Sequence, residues 1–166
     1  MIDRMFPGVP RPAVWLGLAG LIPFYACAIG SYVLPYDWNG RVLDWMLAYG
    51  AIILSFLGGV HWGLATGGFG AAPVADPAFQ PPDSMNWQRL GWSVVPSVIG
   101  WLAHLLLAWQ PAFILLMLGF VGMLYGDTRA VEAGTAPAWY LTLRRQLTWL
   151  VVAALMAGTV RPMLSF

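Results

Sequence analysis

The two histidines are the side chains of this sequence best suited to chemistry, and both lie in long apolar stretches. His61 belongs to the segment SFLGGVHWG near one end of its stretch, whereas His104 lies deeper in another. Ionisable side chains inside membrane segments are candidates for function by default. For His61 the position favours an interfacial or hydrogen-bonded structural role over a ligand or proton-handling role, because a group one turn from the interface reaches headgroups or water cheaply. For His104 a ligand role and a buried, hydrogen-bonded role are equally open.

His104 shares one helix face with Ser97 and Trp101, downstream of a kink predicted at Pro96. We expect this face to look into a helix bundle. These three side chains are the first candidate for a ligand or hydrogen-bond site, and His61 is the second.

A metal or haem site shared by the two histidines is not expected. At 1.5 Å per helical residue, His61 lies about 6 Å and His104 about 20 Å inside the same membrane boundary, whereas the axial ligands of one haem need similar depths. The single cysteine, Cys27, excludes a thiolate zinc site and an iron–sulfur cluster. The sequence contains no nucleophile elbow, P-loop, dinucleotide fingerprint or HExxH motif. We therefore expect no catalytic residue, no metal, no cofactor and no enzymatic activity.

Four charged residues form a candidate interfacial cluster. Asp127 and Arg129 meet the end of one predicted helix, and Arg144 and Arg145 lie at the start of the next. Ion pairs between them could clamp these helix ends, and solvated charges in contact with lipid headgroups are an equally open interpretation. Asp44 is the only acid near the interior of a span, so the sequence gives little support to an ion or proton path.

Small residues recur every fourth position in the second apolar stretch. They lie on one helix face and predict close helix packing. The recurring residues are Ala51, Ser55, Gly59 and Gly63, and Gly58 is a further packing candidate beside them. The alternative is that Gly58 and Gly59 make room for a ligand.

Composition identifies the solvent in which these elements fold. The chain has 166 residues, of which 60% are hydrophobic and 9% charged, against about 25% charged in soluble domains. The eight basic residues, all Arg, nearly balance seven acids, so nucleic acid is excluded as a partner by the lack of a basic surface. The sequence predicts a single transmembrane domain, 1–166, in the lipid bilayer.

The predicted fold is an all-α, polytopic membrane bundle of about five transmembrane helices, at 13–34, 42–65, 90–109, 112–126 and 146–164. The fourth is the weakest, because fourteen residues from 112 reach about 21 Å against a hydrocarbon core of about 30 Å. We expect compact turns at 35–40 and 109–111, an irregular loop at 67–86 and a short interfacial segment within 127–140. The first stretch extends to about residue 34 and is predicted to be a retained helix rather than a signal peptide.

Arginine distribution predicts the orientation. With five spans, six arginines lie on the side of the N-terminus and two lie opposite, which places the N-terminus in the cytoplasm. Tryptophan supports this layout, since nine of ten fall near a predicted interface and only Trp101 is deep. We expect a multi-pass protein of the bacterial inner membrane.

Three segments carry a resemblance: LGLAGLIPF at 16–24, AYGAIILSFLGGVHWG at 48–63 and WYLTLRRQLTWLV at 139–151. They resemble the domain-of-unknown-function family 3429, which is transmembrane protein 69-like, over nearly the whole chain. The second segment is the most specific. The resemblance implies a small polytopic protein of bacterial inner membranes and of mitochondria, with no assigned activity.

Two functions fit these observations. The leading hypothesis is a non-enzymatic accessory, assembly or stabilising factor of a larger membrane complex, such as an energy-transducing one, with a membrane-protein partner or a second copy of the chain. The alternative is binding or transport of a small hydrophobic or tetrapyrrole ligand near His104, Trp101 and Ser97. Tryptophan richness and five short spans are similar in architecture to the tryptophan-rich sensory proteins, which bind tetrapyrroles, although their Trp-and-Pro motif is absent here.

Overall fold

A computed structural model describes residues 5–69, 87–105 and 108–160, which form α-helices and contain no strand. We number the helices in chain order. They are α1 (Arg11–Ala19), α2 (Ile22–Val33), α3 (Tyr36–Thr66), α4 (Trp87–Leu105), α5 (Trp109–Glu132) and α6 (Ala138–Val160). The predicted all-α class is confirmed.

The first predicted span is a helix broken in two. Pro23 lacks the N–H that would continue the ladder, so α1 ends and α2 begins around Gly20 and Leu21. The Tyr49 hydroxyl of α3 donates a hydrogen bond to the Gly20 carbonyl at 3.0 Å. The break lets α2 pack on α3 and α6, while α1 packs on α6.

The second span begins six residues earlier than predicted. Residues 35–40 are not a compact turn, because α3 starts at Tyr36, directly after Pro35. Asp37 lies in the first turn, where a carboxylate is favoured by the helix dipole. Gly40 continues the helix and lies beside the Trp109 ring of α5.

The fourth and fifth spans are longer than predicted, and the reason is the same for both. We predicted that the helices would stop at charged residues, but α5 continues through Asp127 to Glu132 and α6 already begins at Ala138. At 24 residues, α5 reaches about 36 Å, enough to cross the hydrocarbon core. Only a short turn separates α5 from α6, so 127–140 forms no separate element. The predicted turn at 109–111 is wrong, because α5 already begins at Trp109.

Three segments are long and apolar enough to cross a membrane among the described residues: Arg11–Val33, Tyr36–Thr66 and Trp109–Glu132. The helices α4 and α6 fall outside that set, so five crossings stay a prediction. Three parts of the predicted layout lie outside the described residues. They are residues 70–86 of the predicted loop, residues 106–107 of the third predicted span and residues 161–164 of the fifth.

The core lies where α2, α3, α5 and α6 meet. Its largest fully buried side chains include Phe24, Met46, Leu54, Phe113 and Phe120. Phe24 packs edge-on against Phe120, with ring centroids 6.2 Å apart. Close packing rather than polar contact holds this middle section together.

The helix α4 packs mainly against α3, and small residues bring the two backbones close together. A Cβ added at Gly100 would lie 3.0 Å from the Ala51 carbonyl oxygen, and one added at Gly58 would collide with the Ser93 carbonyl. Both glycines are therefore required for the observed approach.

Candidate functional site

A buried polar cluster joins three helices at one end of the bundle, which we call the charged end. The carboxylate of Asp127, on α5, is fully buried and accepts two hydrogen bonds. Nε2 of His61, on α3, lies 2.7 Å from Oδ1, and Nε of Arg144, on α6, donates to Oδ2 at 2.7 Å. Because an ionised carboxylate only accepts, Nε2 of His61 carries the proton. The cluster is held by one side chain from each of three helices.

Burial determines what this cluster does electrostatically. The side chains of His61 and Arg144 are 10% and 6% exposed, and that of Asp127 is 0% exposed. With a neutral imidazole, the carboxylate and the guanidinium sum to no net charge. Buried charges persist when paired and hydrogen-bonded in this way, and removing one partner leaves the other uncompensated.

Two polar side chains of α6 keep unused hydrogen-bonding capacity beside this cluster. Among the described residues, Arg144 donates only through Nε, and its buried Nη2 has no partner. The Tyr140 hydroxyl, one turn earlier, is also buried, and Asp127 is its nearby acceptor, although the geometry between them falls short of a regular hydrogen bond. Buried donors without partners are unusual in native proteins.

A polar cleft lies on one side of the cluster. It has a volume of ≈ 720 Å³ and is bounded by α3, α4, α5 and the turn that follows α5. His61, Arg89 and Arg129 contribute its basic side chains, and Trp92 and Tyr125 its aromatic ones. His61 thus links this cleft to Asp127.

An apolar cavity of ≈ 480 Å³ lies on the other side, between α1, α3 and α6. Its lining is almost wholly hydrocarbon and aromatic, and Tyr140 and Arg144 also contribute to the wall. α1, which forms one wall of the cavity, packs on α6. The cluster therefore separates a polar cleft from an apolar cavity.

The first predicted ligand site is not enclosed by the bundle. Trp101 is 62% exposed, His104 is also exposed, and Ser97 is half-buried. The expectation that this face looks inward is wrong, because α4 packs through a neighbouring face of small residues. The buried residues of that face are Ser93, Pro96, Gly100 and Ala103.

The predicted packing face of α3 divides into two parts. Ala51 and Gly58 contact α4, and the half-buried Ser55 bonds the Ala51 carbonyl of its own helix at 2.8 Å. Gly59 and Gly63 are exposed, and a Cβ at either position would meet no atom of the described residues within 4 Å. Part of the small-residue face is therefore used inside the chain, and part of it is open.

The predicted charge cluster also divides. Asp127 and Arg144 form the buried pair, whereas Arg145 is exposed and Arg129 pairs at 3.4 Å with Glu132 on the surface. Sequence reasoning did not connect His61 to this cluster and missed Tyr140. A signal existed, since Tyr140, Arg144 and Thr148 recur every fourth residue on the buried face of α6.

The arrangement holds no group of three or more His, Cys, Asp or Glu side chains able to bind a metal among the described residues. Its chemistry is that of hydrogen bonding and charge compensation in a low-dielectric setting. Long apolar helices, a core of packed hydrocarbon and one buried ionic cluster together define a helical membrane protein.

Comparison with known proteins identifies the family. A family model described as a protein of unknown function (DUF3429) matches residues 9–160, and the chain belongs to this family. It is similar to transmembrane protein 69 of Xenopus tropicalis, at 38% identity over 152 residues, which cover 91% of this chain and 54% of that protein.

Transmembrane protein 69 of Mus musculus is 36% identical over 96 residues, covering 58% of this chain and 34% of that protein. The chain thus spans about half or less of the length of these relatives. No solved structure matches.

Proposed function

We propose that this chain is a non-enzymatic integral protein of the bacterial inner membrane that acts as an accessory, assembly or stabilising factor of a larger membrane complex, such as an energy-transducing one. It binds that complex through the outer face of α3, which we define as Ile52, Gly59 and Gly63. The orientation follows the arginine distribution, with the N-terminus in the cytoplasm.

The observation that carries the proposal is the open pair Gly59 and Gly63. Elsewhere in α3, Gly50 and Gly58 sit so close to other helices that a Cβ would collide with them. Gly59 and Gly63 are spaced by one helical turn, are exposed, and have no neighbour within 4 Å of an added Cβ in the part of the chain that the structure describes. Adjacent small residues on a membrane helix permit a second helix to approach closely, and packing of this kind drives association in lipid.

The polar side chains support the same conclusion. The most completely buried charged group among the described residues, Asp127, is engaged with His61 and Arg144, which fixes three helices rather than exposing a reactive group. His104 and Trp101 lie on the surface of α4, so they do not enclose the ligand of the alternative hypothesis.

Co-purification tests the proposal. The chain is solubilised from its native membrane in mild detergent, and the species that elute with it are compared between the natural sequence and a Gly59→Leu/Gly63→Leu variant. Gly91→Leu is the matched control, because Gly91 is also exposed and open but lies on α4. Both variants are first shown to unfold at the same temperature as the natural chain.

We expect one discrete membrane-protein complex that survives Gly91→Leu and is lost in the double variant. A complex composed only of copies of this chain, lost in the same variant, supports the interface but replaces the partner by a homo-oligomer. A solitary monomer under every mild condition, or a complex indifferent to both variants, contradicts the proposal.

A further inference from the structure

The polar cleft between α3, α4 and α5 carries more positive than negative charge along its wall. Arg89 and Arg129 line it, and none of the described residues that line it with them is an acid. The carboxylate of Asp127 is fully buried behind the cleft and already compensates Arg144 at 2.7 Å. The cleft measures ≈ 720 Å³, within the range of ligand pockets, about 300–1,000 Å³. Its chemistry therefore suits an anionic ligand.

The contacts that the two arginines make leave room for a stronger acceptor. Nη1 of Arg129 donates to Glu132 at 3.4 Å, and both side chains are exposed, so this ion pair is weak. Nη1 and Nη2 of Arg89 each lie 3.4 Å from the Phe69 carbonyl, which is a neutral acceptor. Charge-assisted hydrogen bonds to an anionic oxygen are shorter and stronger than these. An anion can therefore displace both contacts.

The depth of the cleft matches the headgroup layer of a bilayer. Arg129 lies in the last turn of α5, about 30 Å along the helix from Trp109, which is the thickness of the hydrocarbon core. Trp92 and Tyr125 line the same cleft and are exposed. Tryptophan and tyrosine are enriched at the depth of the headgroups. The arginines of the cleft thus lie where lipid phosphates lie.

The wall of the cleft becomes apolar away from the charged end. Val95 lines the cleft on α4, and Val98 follows one turn further on and is exposed. On α5, Val121 and Leu118 lie about one and two turns beyond Tyr125 and are exposed as well. An amphiphile with its head at the arginines would lay its chains along this surface. A water-soluble anion would use the arginines alone.

The arginines also favour one kind of headgroup. A guanidinium presents its donors in a planar fork that fits the oxygens of a phosphate. The ammonium group of a zwitterionic lipid would bring a third positive charge beside the two of the cleft. A headgroup whose phosphate is its only charge avoids that repulsion. Basic pockets between membrane helices are known to take anionic headgroups in this way.

We propose that this cleft binds an anionic phospholipid of the phosphatidylglycerol type, with the phosphate on Arg89 and Arg129 and the acyl chains along the exposed surface of α4 and α5. The residues of the outer face of α3, Ile52, Gly59 and Gly63, do not line the cleft. This proposal and the proposed function can therefore fail independently.

Thermal unfolding of the delipidated full chain in mild non-ionic detergent tests the site with three probes. They are dioleoyl phosphatidylglycerol, dioleoyl phosphatidylcholine, which has the same chains and a zwitterionic head, and inorganic phosphate, which has no chains. A ligand that binds the folded state raises its unfolding temperature. We expect a saturable rise with phosphatidylglycerol that shrinks as salt is added. The other two probes should give little or no rise.

Four variants locate the binding, each compared with its own lipid-free unfolding temperature. Arg89→Gln and Arg129→Gln should each weaken the affinity for phosphatidylglycerol roughly 3- to 10-fold. Arg145→Gln is the matched control, because Arg145 is an exposed arginine at the same end but outside the lining. Ala130→Glu keeps both arginines and adds a carboxylate to the wall, so it should abolish the preference for phosphatidylglycerol.

Each contrary result overturns the proposal at a defined point. Equal responses to the two lipids would mean that the arginines select no headgroup, and an equal response to inorganic phosphate would identify a soluble anion as the ligand. A loss in Arg145→Gln as large as in Arg89→Gln and Arg129→Gln would assign the effect to overall charge. A preference for phosphatidylglycerol that survives Ala130→Glu would remove the cleft as its location.

Discussion

Truncating Asp127 to alanine should strongly destabilise the bundle at the charged end. The carboxylate is fully buried, accepts two hydrogen bonds of 2.7 Å, and is the only described partner of the Arg144 guanidinium. Its loss leaves a guanidinium that is 6% exposed without compensation. Breaking a buried pair on one side costs about 3–5 kcal/mol, and we expect that loss for Asp127→Ala and for Arg144→Ala alike.

The double replacement Asp127→Leu/Arg144→Met should restore most of the stability. It removes both charges together and fills the volume with hydrocarbon, which is often neutral or stabilising at a buried pair. The assay is reversible unfolding in mixed detergent, followed by tryptophan fluorescence. The natural chain, Asp127→Leu, Arg144→Met and the double variant form a double-mutant cycle that measures the coupling between the two side chains.

The surface pair Arg129 and Glu132 is the matched control for this cycle. Its side chains are 68% and 59% exposed and lie 3.4 Å apart, so coupling should stay below about 1 kcal/mol. Additive losses at Asp127 and Arg144, or a loss below about 1 kcal/mol for Asp127→Ala, would refute the argument that the cluster clamps the helices.

Two further predictions concern packing and the helix break. Gly58→Ala should lower the free energy of unfolding by about 1–3 kcal/mol, because its Cβ collides with the Ser93 carbonyl. The neighbouring Gly59→Ala should be neutral or stabilising, since nothing lies within 4 Å and alanine is the better helix former; denaturation curves that fall together would refute this contrast. Tyr49→Phe should cost about 0.5–1.5 kcal/mol by removing the 3.0 Å bond to the Gly20 carbonyl, and an unchanged unfolding midpoint would contradict a role in holding the break.

Sequence periodicity and composition were sufficient to predict a helical membrane protein. A bilayer admits only helices and closed barrels, and long apolar segments indicate helices. Periodicity and composition were insufficient for helix ends. Charged residues usually mark the boundary of a span, yet Asp127 and Arg144 lie on helices that continue past them. Each charge is compensated by a residue on another helix, and the local sequence pattern does not show that pairing.

The choice between neighbouring arginines shows the same limit. Arg144 and Arg145 are separated by about 100° around α6, and only Arg144 is buried. The spacing of Tyr140 and Thr148 around it was the available signal. For His104 the prediction assigned burial to a residue that is exposed. Its face of α4 was predicted to look inward, but the adjacent face, with its small residues, packs against α3.

Both glycines of the α3 outer face were predicted as packing residues, as was Gly58, and the sequence does not show which of the three meets another helix of this chain. The structure distinguishes them by neighbours: Gly58 lies against α4, whereas Gly59 and Gly63 lie against none of the described residues. This difference is the basis for assigning them to a contact with another protein.

Site-specific photo-crosslinking in the native membrane tests that assignment most directly. A benzophenone side chain replaces Ile52, which is 63% exposed on the same face as Gly59, and in a second protein it replaces Leu118, which is 64% exposed on α5. We predict one discrete protein adduct from position 52 and none of that size from position 118. Adducts with lipid alone at position 52, or the same adduct from both positions, would contradict a dedicated helix-packing surface.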